Sequence, residues 1–388
     1  MELLLVAGIV VAAFVGYNIG GATTGVAFGP AVGANVVSKL GAAVLMSFFF
    51  LLGGWLVGPA VVETLGDDLV PRSVLTLEAG IIVLFFIGFA LFAGNVVGVP
   101  ASTSMTAVGA IAGLGLATNS LDWGTMGRIV SWWIVAPVLA FWISGVIGRY
   151  FYPYINRAIA IPHSDHQLFR VERSSPRPRF VVDGEASRRE LSGSLVVIVI
   201  GCYMAFSSGA SNVANAVAPL VGSGALTMSA GVLLACVAVA IGAFTIARRT
   251  LDTMANDITA LPLTAAVIVM TVSASIVTAL SAIGIPVQLV IVATMSIVGL
   301  GWGRATRTAT LTDAVKDPEA TNVSVGALTA DREGEPMEAI GEERPEDIPA
   351  GSELFDPYAT ARVIVTQNFV PVLATVGAFV VFRFVPVV

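Results

Sequence analysis

"GASNVANAVAPLVGSG" (residues 209–224) places amides, hydroxyls, glycines and a proline between two strongly apolar stretches. "LVVIVIGCYMAF" lies just before it and "ALTMSAGVLLACVAVAIGAFTI" follows it. A helix that faces lipid would carry Leu and Val at this position. Polar, irregular backbone at membrane depth is tolerated only where it is buried in protein or lines a wet cavity. The stretch is therefore predicted to be an irregular segment that lines a cavity.

The composition indicates that the solvent of this chain is a lipid bilayer. Only 12% of the 388 residues are charged and 56% are hydrophobic, whereas soluble domains are about one quarter charged. Apolar windows of about 20 residues, each enough to cross the hydrocarbon core of a bilayer, recur along the chain. They lie at about residues 3–18, 40–62, 79–97, 105–118, 129–148, 193–208, 225–246, 263–283, 287–302 and 363–384. The sequence therefore predicts an all-α polytopic membrane protein.

Two polar segments rich in proline and charge divide the apolar windows and are predicted to be solvated connections. The first is basic and is placed in the cytoplasm by the positive-inside rule; its arginines are Arg149, Arg157, Arg170, Arg173, Arg177, Arg179, Arg188 and Arg189. Both termini are then extracytoplasmic. The predicted units are a first transmembrane repeat (1–149), this basic loop (150–191), the first part of a second repeat (192–303), an acidic polar loop (304–358) and a last transmembrane helix (359–388).

Five spans on each side of the basic loop would invert one half relative to the other, so we expect inverted repeats. A shift of 189 positions aligns residues 20–35 with residues 209–224. A shift of 186 positions aligns "GVPASTSMTAVGAIAGLG" (98–115) with "GIPVQLVIVATMSIVGLG" (284–301). The two matches occur in the same order along the chain. They predict two inverted-topology repeats with broken or re-entrant helices around a site at the membrane midplane.

These segments resemble the motifs of a known transporter family. "GASNVANAVAPL" resembles the G-x-N-D-x-A-N signature of inorganic phosphate transporters of the PiT type, and "GVPASTSMTAVGAIAGLG" is similar to their P-[VA]-S-T-[ST] segment. Residues 250–266, "TLDTMANDITALPLTAA", are similar to the stretch that follows the second signature. The family contains sodium–phosphate symporters and bacterial phosphate permeases, and sulfate permeases belong to it too. The resemblance implies outward-facing termini and a central anion site between two inverted repeats.

The motif segments supply neutral hydrogen-bonding groups that suit a tetrahedral oxyanion. Backbone N–H groups at helix N-termini favour anions, and Ser and Thr hydroxyls add further donors. The candidate substrate-binding residues are Thr23, Thr24, Ser102, Thr103, Ser104, Ser207, Ser208, Ser211, Asn212 and Asn215. The candidate ligands of a coupling cation are the amide oxygens of Asn18, Asn212 and Asn215. We expect no cofactor and no metal beyond a bound Na⁺.

The chain lacks the Asp residues of the family signature, and this bears on ion coupling. Asn212 and Thr23 stand where the signature usually has Asp. The second half also has Gln288 where the first half has Ser102, so its Ser–Thr group is missing. A neutral amide attracts Na⁺ less strongly than a carboxylate does. Dependence on Na⁺ is therefore expected to be weak or absent.

The functional prediction is a secondary transporter for inorganic phosphate, coupled to Na⁺ or H⁺. Sulfate is the alternative substrate, and a passive anion channel is the alternative mechanism. An enzyme is not expected, because the motif segments lack a nucleophile–base pair or metal ligands. Close helix packing through small residues is the structural alternative for the motifs. The expected partners are the anion, the coupling cation and the lipid bilayer of the cell membrane, without nucleic acid, and a homodimer stays an open alternative.

Overall fold

Helices form nearly all of the chain that the computed structural model describes, which comprises residues 2–97, 102–159, 169–172, 179–182, 188–245, 263–308 and 357–385. The helices of the first half are α1 (Glu2–Gly33), α2 (Lys39–Leu56), α3 (Gly58–Glu63), α4 (Leu77–Val97), α5 (Thr103–Ala117), α6 (Trp123–Val146) and α7 (Tyr152–Ile159). Short π-helical turns extend α3 over Thr64–Asp68 and α6 over Ile147–Phe151. The helices of the second half are α8 (Arg188–Gly222), α9 (Met228–Thr245), α10 (Leu263–Ala282), α11 (Leu289–Thr308) and α12 (Pro357–Phe384).

Every predicted apolar window overlaps these helices, and the window at 40–62 covers both α2 and α3. Within the described residues, seven helices are long and apolar enough to cross a membrane. Three shorter apolar helices accompany them, at Thr103–Ala117, Leu289–Arg304 and Asn368–Phe384. Large apolar side chains such as Phe48, Ile134 and Trp142 are exposed on the outside of the bundle, where a bilayer would cover them. The chain is therefore a multi-pass membrane protein, as predicted.

The stretch 209–224 is helical through residue 222, and the prediction of an irregular segment is wrong. Helix α8 continues without a break to Gly222, with Pro219 inside it, and α1 likewise continues through Pro30 to Gly33. The reason lies in the glycines, which let neighbouring backbones approach closely. A Cβ at Gly209 would collide with the carbonyl group of Phe50 on α2. The glycines thus allow close helix packing and do not interrupt the helix.

The two halves pack against each other through reciprocal contacts. A Cβ at Gly20 on α1 would meet the carbonyl of Val239 on α9, and a Cβ at Gly209 on α8 would meet the carbonyl of Phe50 on α2. Gly20 and Gly209 are 189 positions apart in the chain, and so are Phe50 and Val239, whose carbonyls they approach. Such an exchange of equivalent contacts is what a pseudo-two-fold axis between the halves produces.

Equivalent helices of the two halves also run in opposite directions. The start of α1 lies against the end of α8, since Gly8 packs on Leu220. The later part of α1 lies against the first part of α8, where Gly201 packs on Phe28. Helices α1 and α8 are therefore antiparallel. This arrangement supports the prediction of two inverted repeats.

The basic loop contains two short strands, so the all-α prediction holds for the membrane part alone. Strands β1 (Phe169–Glu172) and β2 (Arg179–Val182) pair antiparallel, with Phe169 opposite Val182 and Glu172 opposite Arg179. Their sequences, "FRVE" and "RFVV", carry the aromatic and β-branched residues that favour strands. Several predictions concern segments outside the described residues, namely most of the acidic loop (309–356), Pro100 and residues 250–262 of the third motif.

Candidate functional site

The second motif occurs once in each half, and in both halves a helix begins within it. In the first half, Ser102 caps α5, and its Oγ accepts a hydrogen bond from the backbone N–H of Met105 at 3.1 Å. The Thr106 hydroxyl donates to the Ser102 carbonyl at 2.6 Å. Helix α5 therefore begins where the sequence predicts it. Its N-terminal turn carries the partial positive charge that attracts anions.

The start of α5 meets the middle of α8 in a group of hydrogen-bonded polar side chains. Thr103 Oγ1 donates to Asn212 Oδ1 at 2.5 Å, and Asn215 Nδ2 donates to the same oxygen at 3.1 Å. Asn215 Nδ2 also lies 3.3 Å from Ser104 Oγ. Asn212 Nδ2 donates to the carbonyl of Ser208 at 2.9 Å and lies 3.2 Å from its hydroxyl. We call Thr103, Ser104, Ser208, Ser211, Asn212 and Asn215 the polar cluster.

Helical periodicity explains why four members of the polar cluster come from α8. Ser208, Ser211, Asn212 and Asn215 are spaced i, i+3, i+4 and i+7, so they share one face of the helix. Ser208, Ser211 and Asn215 are fully buried, and Asn212 is 5% exposed. Asn215 Oδ1 is buried and has no hydrogen-bond partner among the described residues. The polar cluster thus contains one buried acceptor that the described residues leave unpaired.

The segment just before α11 also contacts the polar cluster. The carbonyl of Val287 accepts from Ser211 Oγ at 2.9 Å and from Ser104 Oγ at 3.2 Å. The preceding carbonyl, that of Pro286, accepts from Trp133 Nε1 at 2.8 Å. Gly284 takes a φ of 76°, a conformation that a residue with a Cβ rarely adopts. The glycine and proline matched between the repeats therefore hold a backbone carbonyl beside the site.

Gln288, which the sequence comparison marked only as a lost Ser–Thr group, is buried next to this carbonyl. Its side chain is 6% exposed, and neither its Oε1 nor its Nε2 has a hydrogen-bond partner among the described residues. The signal that could have identified it was its position, opposite Ser102 in the repeat alignment. At that position the first half has a hydroxyl that caps its helix, whereas the second half has an amide without a partner among the described residues.

Other predicted site residues are bonded to their own or other helices. Thr23 and Thr24 donate to the carbonyls of Ile19 and Gly20 within α1. Asn18 Nδ2 likewise donates to the carbonyl of Phe14 at 2.8 Å. Such bonds to the carbonyl four residues earlier are common for Ser and Thr in helices. In the described part of the chain, no hydrogen bond joins Thr23 or Thr24 to the polar cluster.

Ser207 also points away from the polar cluster, because its hydroxyl donates to the carbonyl of Ala274 on α10 at 3.1 Å. Ser102 contributes as the cap of α5 rather than through a bond to α8. Of the ten predicted substrate-binding residues, the polar cluster contains six. Its chemistry is that of neutral donors and acceptors at the N-terminus of a helix, with no Lys, Arg, Asp or Glu among its members. Neutral donors at a helix N-terminus are the groups by which proteins commonly bind oxyanions.

Comparison with known proteins identifies the family. Residues 19–327 match the sequence model of the phosphate transporter family. The chain belongs to this family. The predicted resemblance to phosphate transporters of the PiT type is thereby confirmed.

Relatives within the phosphate transporter family differ in their named substrates. The chain is 30% identical over 299 residues to the sulfate permease CysP of Bacillus subtilis, covering 77% of each protein. It is 25% identical to a putative phosphate permease of Chlamydia trachomatis, over 79% of this chain and 91% of the relative. It is 23% identical to a putative phosphate permease of Haemophilus influenzae, over 77% of this chain and 88% of the relative.

A solved structure described as the sodium-dependent phosphate transporter has the same fold. It aligns with a TM-score of 0.68 over 100% of both chains, at 18% sequence identity. The family assignment is that of a transporter.

Proposed function

We propose that the protein is a secondary transporter that moves inorganic phosphate across the cell membrane together with a cation. The observation that carries the proposal is the polar cluster, buried at the N-terminus of α5 in a chain of the phosphate transporter family. Secondary transporters bind substrates near the midplane with the N-termini of interrupted helices pointing at anionic groups. Helix α5 and its contact with Asn212 fit that pattern.

The polar cluster matches the hydrogen-bonding needs of phosphate. Phosphate near neutral pH carries both unprotonated oxygens, which need donors, and a protonated oxygen, which needs an acceptor. The first backbone N–H groups of α5, apart from the Met105 N–H that Ser102 accepts, are available as donors, because a helix leaves its first N–H groups unpaired. The Thr103 hydroxyl, which donates to Asn212 Oδ1 in the structure, would turn from Asn212 to the bound anion. Asn215 Oδ1 is a buried acceptor that lacks a partner in the described residues. A bound phosphate could satisfy both kinds of group.

The absence of charged side chains from the polar cluster suits transport rather than storage. A buried Arg or Lys would add the Coulomb attraction of a full positive charge to its hydrogen bond with the anion. Neutral donors bind more weakly, so the anion can leave on the opposite side. Because the polar cluster contains no carboxylate, its possible ligands for the coupling cation are neutral oxygens, namely the amide oxygens of Asn212 and Asn215 and the Val287 carbonyl.

Sulfate is the second candidate substrate, and one specific observation favours it. Among the relatives named above, the sulfate permease CysP of Bacillus subtilis has the highest identity. Sulfate carries no proton near neutral pH, so it needs donors only. It would leave Asn215 Oδ1 without a partner, and an unpaired buried acceptor is costly. For that reason phosphate is the leading candidate.

Uptake into proteoliposomes tests the proposal. Purified protein would be reconstituted, and uptake of labelled phosphate would be followed under an inward Na⁺ gradient, an inward H⁺ gradient or neither. Competition by unlabelled sulfate measures selectivity. Saturable uptake that a cation gradient drives above equilibrium supports the proposed symport. Uptake that follows membrane voltage alone, without counterflow, would identify a passive anion channel instead.

A further inference from the structure

A small cavity lies beside the polar cluster, on the side of α6 and α11. Its volume is about 40 Å³, and its lining includes Met105, Trp133, Val287, Gln288, Ile291 and Val292. A cavity needs about 10–15 Å³ of such volume to hold one water. The space is therefore large enough for more than one water or for part of a small ligand.

Gln288 is the one unpaired polar side chain in the lining of this cavity. Its amide can donate two hydrogen bonds and accept two, yet it makes none within the described residues although it is only 6% exposed. The other polar side chain of the lining is that of Trp133, which already donates to the Pro286 carbonyl. An unpaired amide among apolar side chains is unfavourable unless a ligand or a water molecule forms hydrogen bonds with it.

The position of Gln288, just before the first turn of a helix, is one that favours an anion nearby. Gln288 directly precedes α11, and its carbonyl accepts from the Val292 N–H, so it occupies the position that Ser102 has before α5. The positive end of the helix dipole lies there. Its neighbour Val287 offers its carbonyl to Ser104 and Ser211 of the polar cluster. Val287 also lines the cavity, so this residue contacts both the cavity and the polar cluster.

We infer that Gln288 contacts the transported oxyanion and determines which tetrahedral anion the site accepts. The inference rests on the proposed function, since it assigns a further residue to the same site. Gln288 Nε2 donates to an unprotonated oxygen of the anion, and Oε1 accepts from a protonated one. Phosphate can engage both atoms, whereas sulfate can engage only Nε2. Gln288 therefore favours phosphate over sulfate.

The test compares variants of Gln288 by their binding of phosphate and sulfate to purified protein. Gln288→Met keeps the length of the side chain and removes its hydrogen bonds. Gln288→Glu keeps the acceptor and adds negative charge. Ile291→Leu, which conserves volume in the lining of the same cavity, is the matched control. Thr103→Ala reports separately on the polar cluster.

We expect Gln288→Met to weaken phosphate binding about tenfold or more, as loss of a hydrogen bond to a charged group does. Its thermal unfolding midpoint should not fall, because the replaced amide had no partner in the protein. Gln288→Glu should weaken sulfate binding more than phosphate binding, since only phosphate can donate to the carboxylate. Ile291→Leu should bind both anions like the wild type.

Two results would overturn the assignment of Gln288. One is wild-type affinity in Gln288→Met while Thr103→Ala loses binding, which would leave the proposed function intact. The other is an unchanged ratio of phosphate to sulfate affinity in Gln288→Glu, which decides the matter even if Gln288→Met does not fold. Wild-type protein that binds neither anion would instead refute the proposed function, and this inference with it.

Discussion

Asn212 holds the polar cluster together through both ends of its amide. Its Oδ1 accepts from Thr103 and Asn215, and its Nδ2 donates to Ser208. Truncation to Ala would leave Thr103 without its partner on α8 and would remove one wall of the anion site. We expect Asn212→Ala and Thr103→Ala each to weaken phosphate binding about tenfold or more, as loss of buried charge-assisted hydrogen bonds does.

The matched control for this prediction is Thr118→Ala at the other end of α5. Thr118 bonds to the carbonyl of Leu114 and to the hydroxyl of Ser120, away from α8. Phosphate binding is measured by titration of the purified protein, with thermal unfolding as the check on folding. Folded Asn212→Ala and Thr103→Ala proteins that bind phosphate like Thr118→Ala would show that the anion site lies elsewhere.

Individual site residues are predictable from sequence to the extent that helix geometry fixes them. The spacing of Ser208, Asn212 and Asn215 determines that they share a face, and a serine such as Ser102 is a preferred N-cap of a helix. Sequence cannot decide whether a Thr such as Thr23 bonds to its own helix or to a neighbour, because that depends on the distance to the next helix. Gln288 was missed because the motif specifies hydroxyls, whereas the position requires only a polar group.

The packing of the long helices depends on glycines that allow a neighbouring carbonyl to approach. A Cβ at Gly209 would collide with the Phe50 carbonyl, and backbone cannot move aside cheaply. We expect Gly209→Ala to lower the free energy of unfolding by about 1–3 kcal/mol, the usual cost of overpacking a core. Gly20→Ala should cost a similar amount, because Gly20 makes the equivalent contact with Val239.

Gly127→Ala serves as the control, since a Cβ there would have no neighbour within 4 Å. It lies in the interior of α6, so Ala should stabilise the helix by up to about 1 kcal/mol. Thermal unfolding in detergent compares the three variants with the wild type. Equal stability of Gly209→Ala and Gly127→Ala would mean that the close contact between α2 and α8 is not part of the folded protein.

Helix positions follow from hydropathy, but helix breaks do not follow from glycine and proline alone. Pro30 and Pro219 both lie inside long helices, although their glycine-rich surroundings predict breaks. Glycine signals either a turn or a close approach of two backbones, and only the neighbouring helix distinguishes the two. The breaks occur instead before α5 and α11, where Ser102 and Gln288 precede the first helical turn.

The orientation of the whole molecule in the membrane is a prediction from the distribution of arginine. It places the loops at 150–191 and 304–358 in the cytoplasm and both termini outside. Single cysteines introduced into each loop test it, in a background in which the buried Cys202 and Cys236 are replaced by Ala. We expect an impermeant thiol reagent to label neither loop in intact cells and both in opened membranes. Labelling of either loop from outside would reverse the proposed orientation.

The two repeats also have equivalent positions that bear on ion coupling. Equivalent contacts of the two halves, such as Gly20 with Val239 and Gly209 with Phe50, place Thr23 and Asn212 at matching positions in α1 and α8. Both stand where the family signature usually has Asp. Both halves thus lack the carboxylate that would attract a cation most strongly. We therefore expect phosphate uptake to depend weakly on Na⁺ or not at all.

Restoring one carboxylate should strengthen that dependence. In Asn212→Asp, the new carboxylate can still accept from Thr103 and Asn215, and the Ser208 hydroxyl can turn to donate to it. It would attract Na⁺ by a Coulomb interaction that the amide lacks, so we expect half-maximal uptake at several-fold lower Na⁺ concentration. The measurement is phosphate uptake against Na⁺ at constant ionic strength, with Asn156→Asp, outside the polar cluster, as control. Saturation of the wild type at low millimolar Na⁺ would contradict this, because it would show that the positions of Thr23 and Asn212 do not supply the ligands of Na⁺ and that other residues form the cation site.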